Sequence, residues 1–223
     1  MNDNDQLLIK PLGELIADKL KEDIYQRKIK FGSRLIETDL AVRFDVSRST
    51  IREALRILEQ EELVISKARK GTFVAKFTNK DLKELTEVRK LIEVKAFLNA
   101  LDHLQKNHYE DLQHILFQME QAAKDNDWNT LVELDMSFHQ YVIQLCGNSR
   151  IIKIYESIQT QVRVYMAHLD QYYSSPTSYY REHKDLYDIL LEKDRELVKK
   201  QLENHIEYVE ERVLHLPDDE EFQ

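Results

Sequence analysis

Apolar and polar positions follow helical and then strand-like spacing over the first third of the chain. From about residue 12 to about residue 28, apolar residues recur three and four positions apart, which predicts an amphipathic helix: Leu12, Leu15, Ile16, Leu20 and Ile24. Two more helices are predicted over Glu37 to Phe44 and over Arg48 to Gln60. Two β-rich runs follow, at Val64-Ile65 and at Thr72-Phe73-Val74. Three helices followed by a hairpin are the parts of a winged helix-turn-helix.

From Asn79 onward the pattern is helical, with residues that favour helix starts spaced along it. These residues are Asn107, Asp127, Asn148, Ser175-Pro176 and Asp194. They indicate about six helices, which is typical of a bundle. The predicted fold class is therefore mainly α. Its parts are a winged helix-turn-helix over residues 1–76, a linker over 77–80, an all-α helical domain over 81–215 and an acidic tail over 216–223.

Composition agrees with this division and adds an asymmetry of charge. Four glycines and three prolines leave little turn chemistry for a many-stranded fold. The net charge of −9 is uneven, because residues 1–76 carry 15 Lys/Arg against 13 Asp/Glu and the remainder carries 17 against 28. Cys146 is the only cysteine, and neither a signal peptide nor a membrane-spanning run is recognisable. A cytoplasmic protein without a membrane partner is expected.

The third predicted helix carries a ridge of arginines. Arg48, Arg52 and Arg56 follow one another at i, i+4 and i+8, beside an apolar face. Such a ridge suits a helix in the DNA major groove, where arginine forks reach guanine O6 and N7 or phosphates. On the charge pattern alone, however, a basic helix face that is merely solvated is the favoured interpretation.

The residues around this ridge carry a resemblance to a known family. The run Ser47-Arg48-Ser49-Thr50-Ile51-Arg52-Glu53-Ala54-Leu55 resembles the recognition-helix signature of GntR-family regulators. Flanking pieces match in order at Gly32–Leu35, Glu37–Ala41 and Lys70–Val74, so the resemblance covers residues 10–76. It implies that double-stranded operator DNA is contacted by Arg48, Ser49, Thr50 and Arg52, with Arg56 continuing the ridge.

The same resemblance implies a wing tip at Arg69-Lys70-Gly71 that reaches toward the minor groove. Two positions depart from the family pattern. Phe31-Gly32 replaces the usual Pro-Gly, and Glu62 replaces a glycine at the end of the recognition helix. Because a non-glycine residue is strained in the left-handed region, the second departure predicts a strained helix end.

Four polar residues share the core-facing stripes of three predicted helices: Asp135, His139, His183 and His205. Burying a carboxylate and three imidazoles without partners is costly. One divalent metal would satisfy all four, and the N3O donor set suits zinc first, with nickel, manganese or iron as alternatives. Histidines that are hydrogen-bonded separately in the core are the alternative, and from spacing alone they are the favoured one.

The helical part resembles the FCD domain, the effector domain of one large GntR subfamily. The resemblance rests on Asp135-Met136-Ser137-Phe138-His139, Gly147-Asn148, Glu182-His183 and His205, over residues 80–214. It implies a metal held by Asp135, His139, His183 and His205, and a small organic acid as effector.

Arg89 lies among Leu85, Ile92 and Ala96 on the predicted core side of the first bundle helix, where a guanidinium requires an anion. Two interpretations are equally supported. Arg89 binds a carboxylate effector beside the metal, or it forms an i,i+4 salt bridge with Glu93.

These features predict a sequence-specific DNA-binding transcription regulator, a repressor that acts as a homodimer on a palindrome and responds to a small carboxylate at the metal site. Near-heptad apolar residues of the first bundle helix suit packing in the bundle or across a dimer: Leu91, Val94, Leu98 and Leu101. The alternatives are a metal-dependent enzyme, which is not expected because no catalytic pair accompanies the metal set, and a DNA-binding protein with a purely structural metal site.

Overall fold

The computed structural model describes residues 10–76, 78–166 and 175–213. The chain divides into two compact units after Lys76. The first unit combines helices with a small sheet, and the elements described in the second unit are all helices, with short turns between them where the connections are described. The predicted mainly α fold class is confirmed. The predicted acidic tail over 216–223 lies outside the described residues.

The first unit has the element order of a winged helix-turn-helix. Its elements are α1 Leu12–Tyr25, β1 Arg34–Leu35, α2 Glu37–Phe44, α3 Arg48–Gln60, β2 Val64–Lys67 and β3 Gly71–Val74. The antiparallel strands lie in the order β1-β3-β2. The hairpin was predicted, whereas β1 was not, because a strand of two residues has no alternation to read.

Helix α3 forms because its cap and its apolar face agree. The Ser47 side chain accepts a hydrogen bond from the backbone N–H of Thr50 at 3.2 Å. Apolar residues on one face are buried where α3 packs against α1: Ile51, Ala54, Leu55 and Leu58. The opposite face of α3 is left to solvent.

Helices α2 and α3 are each followed by a residue whose backbone lies in the left-handed region. Asp45 ends α2 with φ of 52°, and Glu62 follows α3 with φ of 60°. Glu62 replaces a family glycine, so the strained helix end predicted from the sequence is confirmed.

The second unit is a succession of helices. They are α4 Asn79–Arg89, a π-helical turn Lys90–Val94, α5 Lys95–Ala100, α6 Lys106–Lys124, α7 Trp128–Gln144, α8 Ser149–Met166, α9 Pro176–Glu192 and α10 Arg195–Val213. Helix α4 begins inside the predicted linker. Within the described ranges, every helix is too short or too polar to cross a membrane.

Most of the predicted start signals cap these helices. The Asp127 side chain accepts from Thr130 N at 3.1 Å, and the Ser175 side chain accepts from Ser178 N at 3.1 Å. Asn148 and Asp194 likewise accept backbone N–H bonds from the first turns of α8 and α10. The prediction at Asn107 was two residues late, because Gln105 caps α6.

The π turn changes which side chains of the first bundle segment face the core. A π turn holds more residues than an α turn, so side chains after it shift around the helix. Glu93 is fully buried, whereas Ile92 is only half-buried. The core stripe predicted from a regular helix is therefore wrong at Ile92, and a carboxylate takes its place.

Candidate DNA interface and candidate metal centre

The basic ridge of α3 faces solvent. The side chains of Arg48 and Arg52 are 57% and 62% exposed, and Arg56 and Ser49 are also exposed. Thr50 is half-buried, and its hydroxyl lies 2.9 Å from Ser47 Oγ in the helix cap. The ridge is thus free to meet DNA, with hydroxyls grouped at the N-terminal end of the helix, where the helix dipole favours phosphate.

A carboxylate that the sequence reasoning did not select lies beside the ridge. Glu37 Oε2 accepts from Arg52 Nε at 2.9 Å and from Arg48 Nη2 at 3.3 Å. Because Glu37 begins α2, its charge looked like an ordinary first-turn acid favoured by the helix dipole. Only the packing of α2 against α3 reveals the pairing.

The wing tip depends on its backbone conformation. Gly71 has φ of 104°, and a Cβ there would lie 3.0 Å from Arg34 Nε. Glycine is favoured here by the dihedral angle, and a Cβ would also displace the Arg34 side chain slightly. Arg69 and Lys70 are exposed beside it. Arg34, which the sequence reasoning did not select as a site residue, borders the same cleft of about 310 Å³ as Arg48 and Arg52.

In the second unit, the structure brings together the four predicted ligands from three helices. One ligand atom each of Asp135, His139, His183 and His205 lies within 4.8 Å of all the others. His139 Nε2 is 3.2 Å from His205 Nε2, and His183 Nε2 is 2.5 Å from Asp135 Oδ1. Helix α7 supplies the first two residues one turn apart, and α9 and α10 supply one each. The residues are almost entirely shielded from solvent.

The outward nitrogens of His139 and His183 lie within hydrogen-bond distance of oxygen acceptors, and that of His205 is buried without a hydrogen bond to the described residues. His139 Nδ1 lies 2.7 Å from Glu93 Oε2, and His183 Nδ1 lies 3.0 Å from the Tyr179 carbonyl oxygen. His205 Nδ1 lies 3.4 Å from Glu182 Oε2, a wider approach. Since a carbonyl or carboxylate can only accept, Nδ1 is the protonated nitrogen of His139 and His183 whenever their Nε2 atoms bind a cation. Nε2 of His205 lies beside Nε2 of His139 in the same space.

This donor set fits a cation better than it fits hydrogen bonding. Within the described part of the chain, Asp135 Oδ2 is buried without a hydrogen-bond partner. Nε2 of His139 and Nε2 of His205 face each other across 3.2 Å, and either a proton on one ring or a cation bound by both nitrogens accounts for this approach. Ligand atoms about 2.1 Å from a metal lie about 3–4 Å apart, so a small contraction of the cluster suffices.

The charges around the cluster shift the pKa values in opposite directions. Burial works to raise the pKa of Asp135, but His183 and His139 outweigh it and hold that pKa well below its usual range. Burial lowers the pKa of His205 to about 4. For His183, Asp135 outweighs burial and raises the pKa. Without a cation, the raised pKa of His183 and the lowered pKa of Asp135 both favour an ion pair between these two side chains.

Arg89 is buried, as predicted, and is paired with Glu93. Its Nε donates to Glu93 Oε1 at 2.5 Å, and Nη2 lies 3.5 Å from Oε2. Burial works to raise the pKa of Glu93, but Arg89 and then His139 lower it to about 2. Of the two interpretations offered by the sequence, the i,i+4 salt bridge with Glu93 is present in the structure. Its Nη1 is the donor directed elsewhere, 4.0 Å from Met166 Sδ.

Comparison with known families agrees with both halves of the structure. Residues 12–74 match the bacterial regulatory proteins of the gntR family, and residues 84–208 match the FCD domain. The chain belongs to the GntR family of transcription regulators, in the group that carries an FCD domain. It is a DNA-binding transcription regulator and not an enzyme.

Similar proteins span nearly the whole chain. The HTH-type transcriptional repressor RspR of Escherichia coli is 26% identical over 204 residues, which cover 91% of this chain and 89% of RspR. The gluconate operon transcriptional repressor of Bacillus subtilis is 28% identical, with 90% and 84% covered. A crystal structure described as a GntR transcriptional regulator of Rhodococcus sp. RHA1 has a TM-score of 0.77 at 25% identity, with 92% and 98% covered.

Proposed function

We propose that this regulator is a homodimeric repressor whose affinity for operator DNA is controlled by a small carboxylate bound beside a divalent metal. The observation that carries this proposal is the convergence of three imidazole nitrogens and one carboxylate oxygen in a buried space. Similarity to proteins named as repressors in Escherichia coli and Bacillus subtilis supports the mode of action.

The metal would be held by Asp135, His139, His183 and His205. Three nitrogens and one oxygen suit zinc first, with nickel, manganese or iron as alternatives. When bound, the metal supplies a Lewis acid that attracts an anionic ligand to its remaining coordination positions. The protein's part is to aim the ligands, which Glu93 and the Tyr179 carbonyl do by fixing two imidazole tautomers.

The effector would reach the arginine as well as the metal. Arg89 keeps Nη1 directed away from Glu93, toward Met166, so one donor of its guanidinium is available to a carboxylate. Pairing with Glu93 also holds the guanidinium in place before a ligand arrives, which lowers the entropy cost of binding. The purely structural metal site is the second candidate, and it requires no ligand response.

On the DNA side, Arg48, Ser49, Thr50, Arg52 and Arg56 would meet the major groove, while Arg69, Lys70 and Gly71 would meet the minor groove. The exposure of the α3 ridge and of the wing tip supports this assignment. Two copies would read two half-sites of a palindrome. The effector changes operator affinity only if it binds one arrangement of the dimer more tightly, and a tenfold change requires about 1.4 kcal/mol of coupling.

The proposed dimer would use an exposed face of the first bundle segment. Leu91 is 77% exposed there and borders a groove of about 680 Å³ together with Leu98 and the largely buried Val94, whereas Leu101 is buried. Positively charged lysines and negatively charged glutamates line the groove: Glu87, Lys90, Lys95, Lys199, Glu203 and Glu207. A patch that carries both signs of charge can pair with its own copy around a two-fold axis.

A thermal-unfolding screen tests the effector part of the proposal. Metal-loaded protein is heated with acetate, succinate, citrate or gluconate, and an acid that binds is expected to raise Tm. At 100 times its Kd, such a ligand stabilises the fold by about 2.7 kcal/mol. The same acid should weaken operator binding and should have no effect after metal removal. Arg89→Lys keeps the charge beside Glu93 but loses the planar fork, so it should reduce the ligand response without loss of metal.

A further inference from the structure

We propose that Glu37 is a positioning residue for DNA reading: its carboxylate holds Arg52 and Arg48 in the orientation in which they recognise bases. This inference rests on the proposed DNA contacts of these two arginines. It adds a residue that touches no base and that sets sequence preference through its neighbours.

The geometry places one acceptor atom between two recognition side chains. Glu37 Oε2 lies 2.9 Å from Arg52 Nε and 3.3 Å from Arg48 Nη2. Arg48 and Arg52 are one turn apart on α3, so their like charges repel on a bare helix surface. The carboxylate from α2 lies between them and removes that repulsion, so both guanidinium groups can stay close together.

Stability does not account for this contact. The side chains of Arg48, Arg52 and Glu37 are 57%, 62% and 30% exposed. Exposed ion pairs contribute about 0–1 kcal/mol at most, because solvent screens them and the side chains lose entropy. What the contact does achieve is to restrict the rotamers of two long, flexible side chains before DNA binds, which lowers the cost of ordering them in the complex.

The atoms that Glu37 uses matter for recognition. Glu37 accepts a hydrogen bond from Nε of Arg52. Within the described chain, neither terminal Nη atom of Arg52 donates to a protein acceptor. A guanine presents O6 and N7 to such a terminal fork, and each good bidentate contact discriminates strongly against the wrong base. Glu37 therefore leaves the recognition edge of Arg52 open and fixes its direction.

The cleft around Glu37 adds a second effect. It has a volume of about 310 Å³ and is bordered by Arg34, Arg48 and Arg52, with Gly71 and Thr72 of the wing opposite. Without Glu37, three arginines would offer a general phosphate site. The negative charge of Glu37 among these arginines repels phosphate, so it weakens nonspecific binding to DNA. The terminal Nη atoms of Arg52 remain available to read a base.

The test separates sequence preference from simple charge. The probes are a duplex selected by the wild-type dimer from a randomised pool and the same duplex with its sequence shuffled. We expect Glu37→Gln to lower the ratio of the two affinities by about fivefold, with affinity for the shuffled duplex unchanged or higher. Glu37→Asp keeps the charge but shortens the side chain, so its carboxylate oxygen no longer reaches the arginines, and it should also lower the ratio. Asp39→Asn removes an equal charge from the same helix and should leave the ratio unchanged.

A further experiment tests whether Glu37 changes sequence preference through the two arginines. In an Arg52→Ala, Arg48→Ala background, Glu37→Gln should change the ratio no further. If Glu37→Gln and Asp39→Asn raise both affinities equally and leave the ratio intact, Glu37 acts only as a charge and the inference is overturned. If Arg52→Ala and Arg48→Ala themselves leave the ratio intact, the proposed DNA contacts fail first, and the inference fails with them.

Discussion

Nδ1 of His139 lies 2.7 Å from Oε2 of Glu93, and this contact ties the candidate metal ligands to the first helical segment of the bundle. The other oxygen of Glu93 accepts from Arg89, so the three side chains form a chain of hydrogen bonds. Because Glu93 can only accept, it fixes the tautomer of His139 and aims its Nε2 into the cluster. The π turn that places Glu93 there is thus part of the site.

Glu93→Gln should weaken metal binding without removing any proposed ligand. Glutamine can turn an N–H toward His139 and no longer fixes the imidazole tautomer, and losses of this kind cost about 10–100-fold in affinity. A competition titration against a chromophoric chelator measures the change. Glu84→Gln, which breaks only a surface pair with Lys80, is the matched control and should leave the affinity unchanged. Equal affinities for the two variants would show that Glu93 plays no part in ligation.

The metal-stripped protein should lose stability between about pH 6.5 and pH 4 because of His205. Burial lowers the pKa of His205 in the folded state to about 4. Within that window the unfolded chain binds a proton at this position that the folded chain does not, so the free energy of unfolding falls as pH falls. The slope from one group is at most about 1.4 kcal/mol per pH unit.

Urea titrations across this pH range measure that slope. His205→Asn removes the titrating ring and should flatten the curve, whereas His114→Asn, at an exposed position of α6, should leave it unchanged. A curve for His205→Asn that is as steep as the wild-type curve would contradict the prediction.

Arg52→Ala should weaken binding to the selected duplex by about 1–3 kcal/mol if its lost contact is to a base edge. Lys28→Ala removes the same charge from an exposed position outside α3 and should cost much less. Fluorescence anisotropy at several salt concentrations separates the two effects, because phosphate contacts change the salt slope whereas base contacts change the preference between duplexes. Equal losses for both variants would mean that Arg52 contributes only charge.

Leu91→Asp should convert the proposed dimer to monomers. A buried aspartate at a self-complementary apolar face meets its own copy across the two-fold axis, and both charges would be desolvated. Sedimentation velocity measures the molecular mass. Phe117→Asp alters an apolar residue that is 57% exposed on α6 and should leave the association state unchanged. A dimer that persists in Leu91→Asp places the interface elsewhere.

Local signals in the sequence predicted much of the fold. The apolar spacing of α3 and the caps at Asp127 and Ser175 are readable because each depends on residues within one or two helical turns. The strained end at Glu62 was also predicted, since the family pattern has glycine there.

What the sequence did not reveal depends on contacts between distant residues. Glu37 pairs with arginines on another helix, and its own position explains it equally well as a helix-start acid. Glu93 was considered only as a salt-bridge partner of Arg89, because a regular helix places Ile92 toward the core. The π turn that reverses this assignment is a property of packing rather than of periodicity. The ligand set itself was recognised through family resemblance, since spacing alone favoured separate core histidines.

The metal content of the purified protein tests the central claim most directly. Untagged protein is prepared without chelators, metal and protein are quantified by elemental analysis, and a chelated sample is reconstituted with zinc, nickel, manganese or iron(II). We expect about one divalent ion per chain, none in His139→Ala, and full content in His114→Ala. Wild-type protein that contains no metal and takes up none of the four ions would contradict the account.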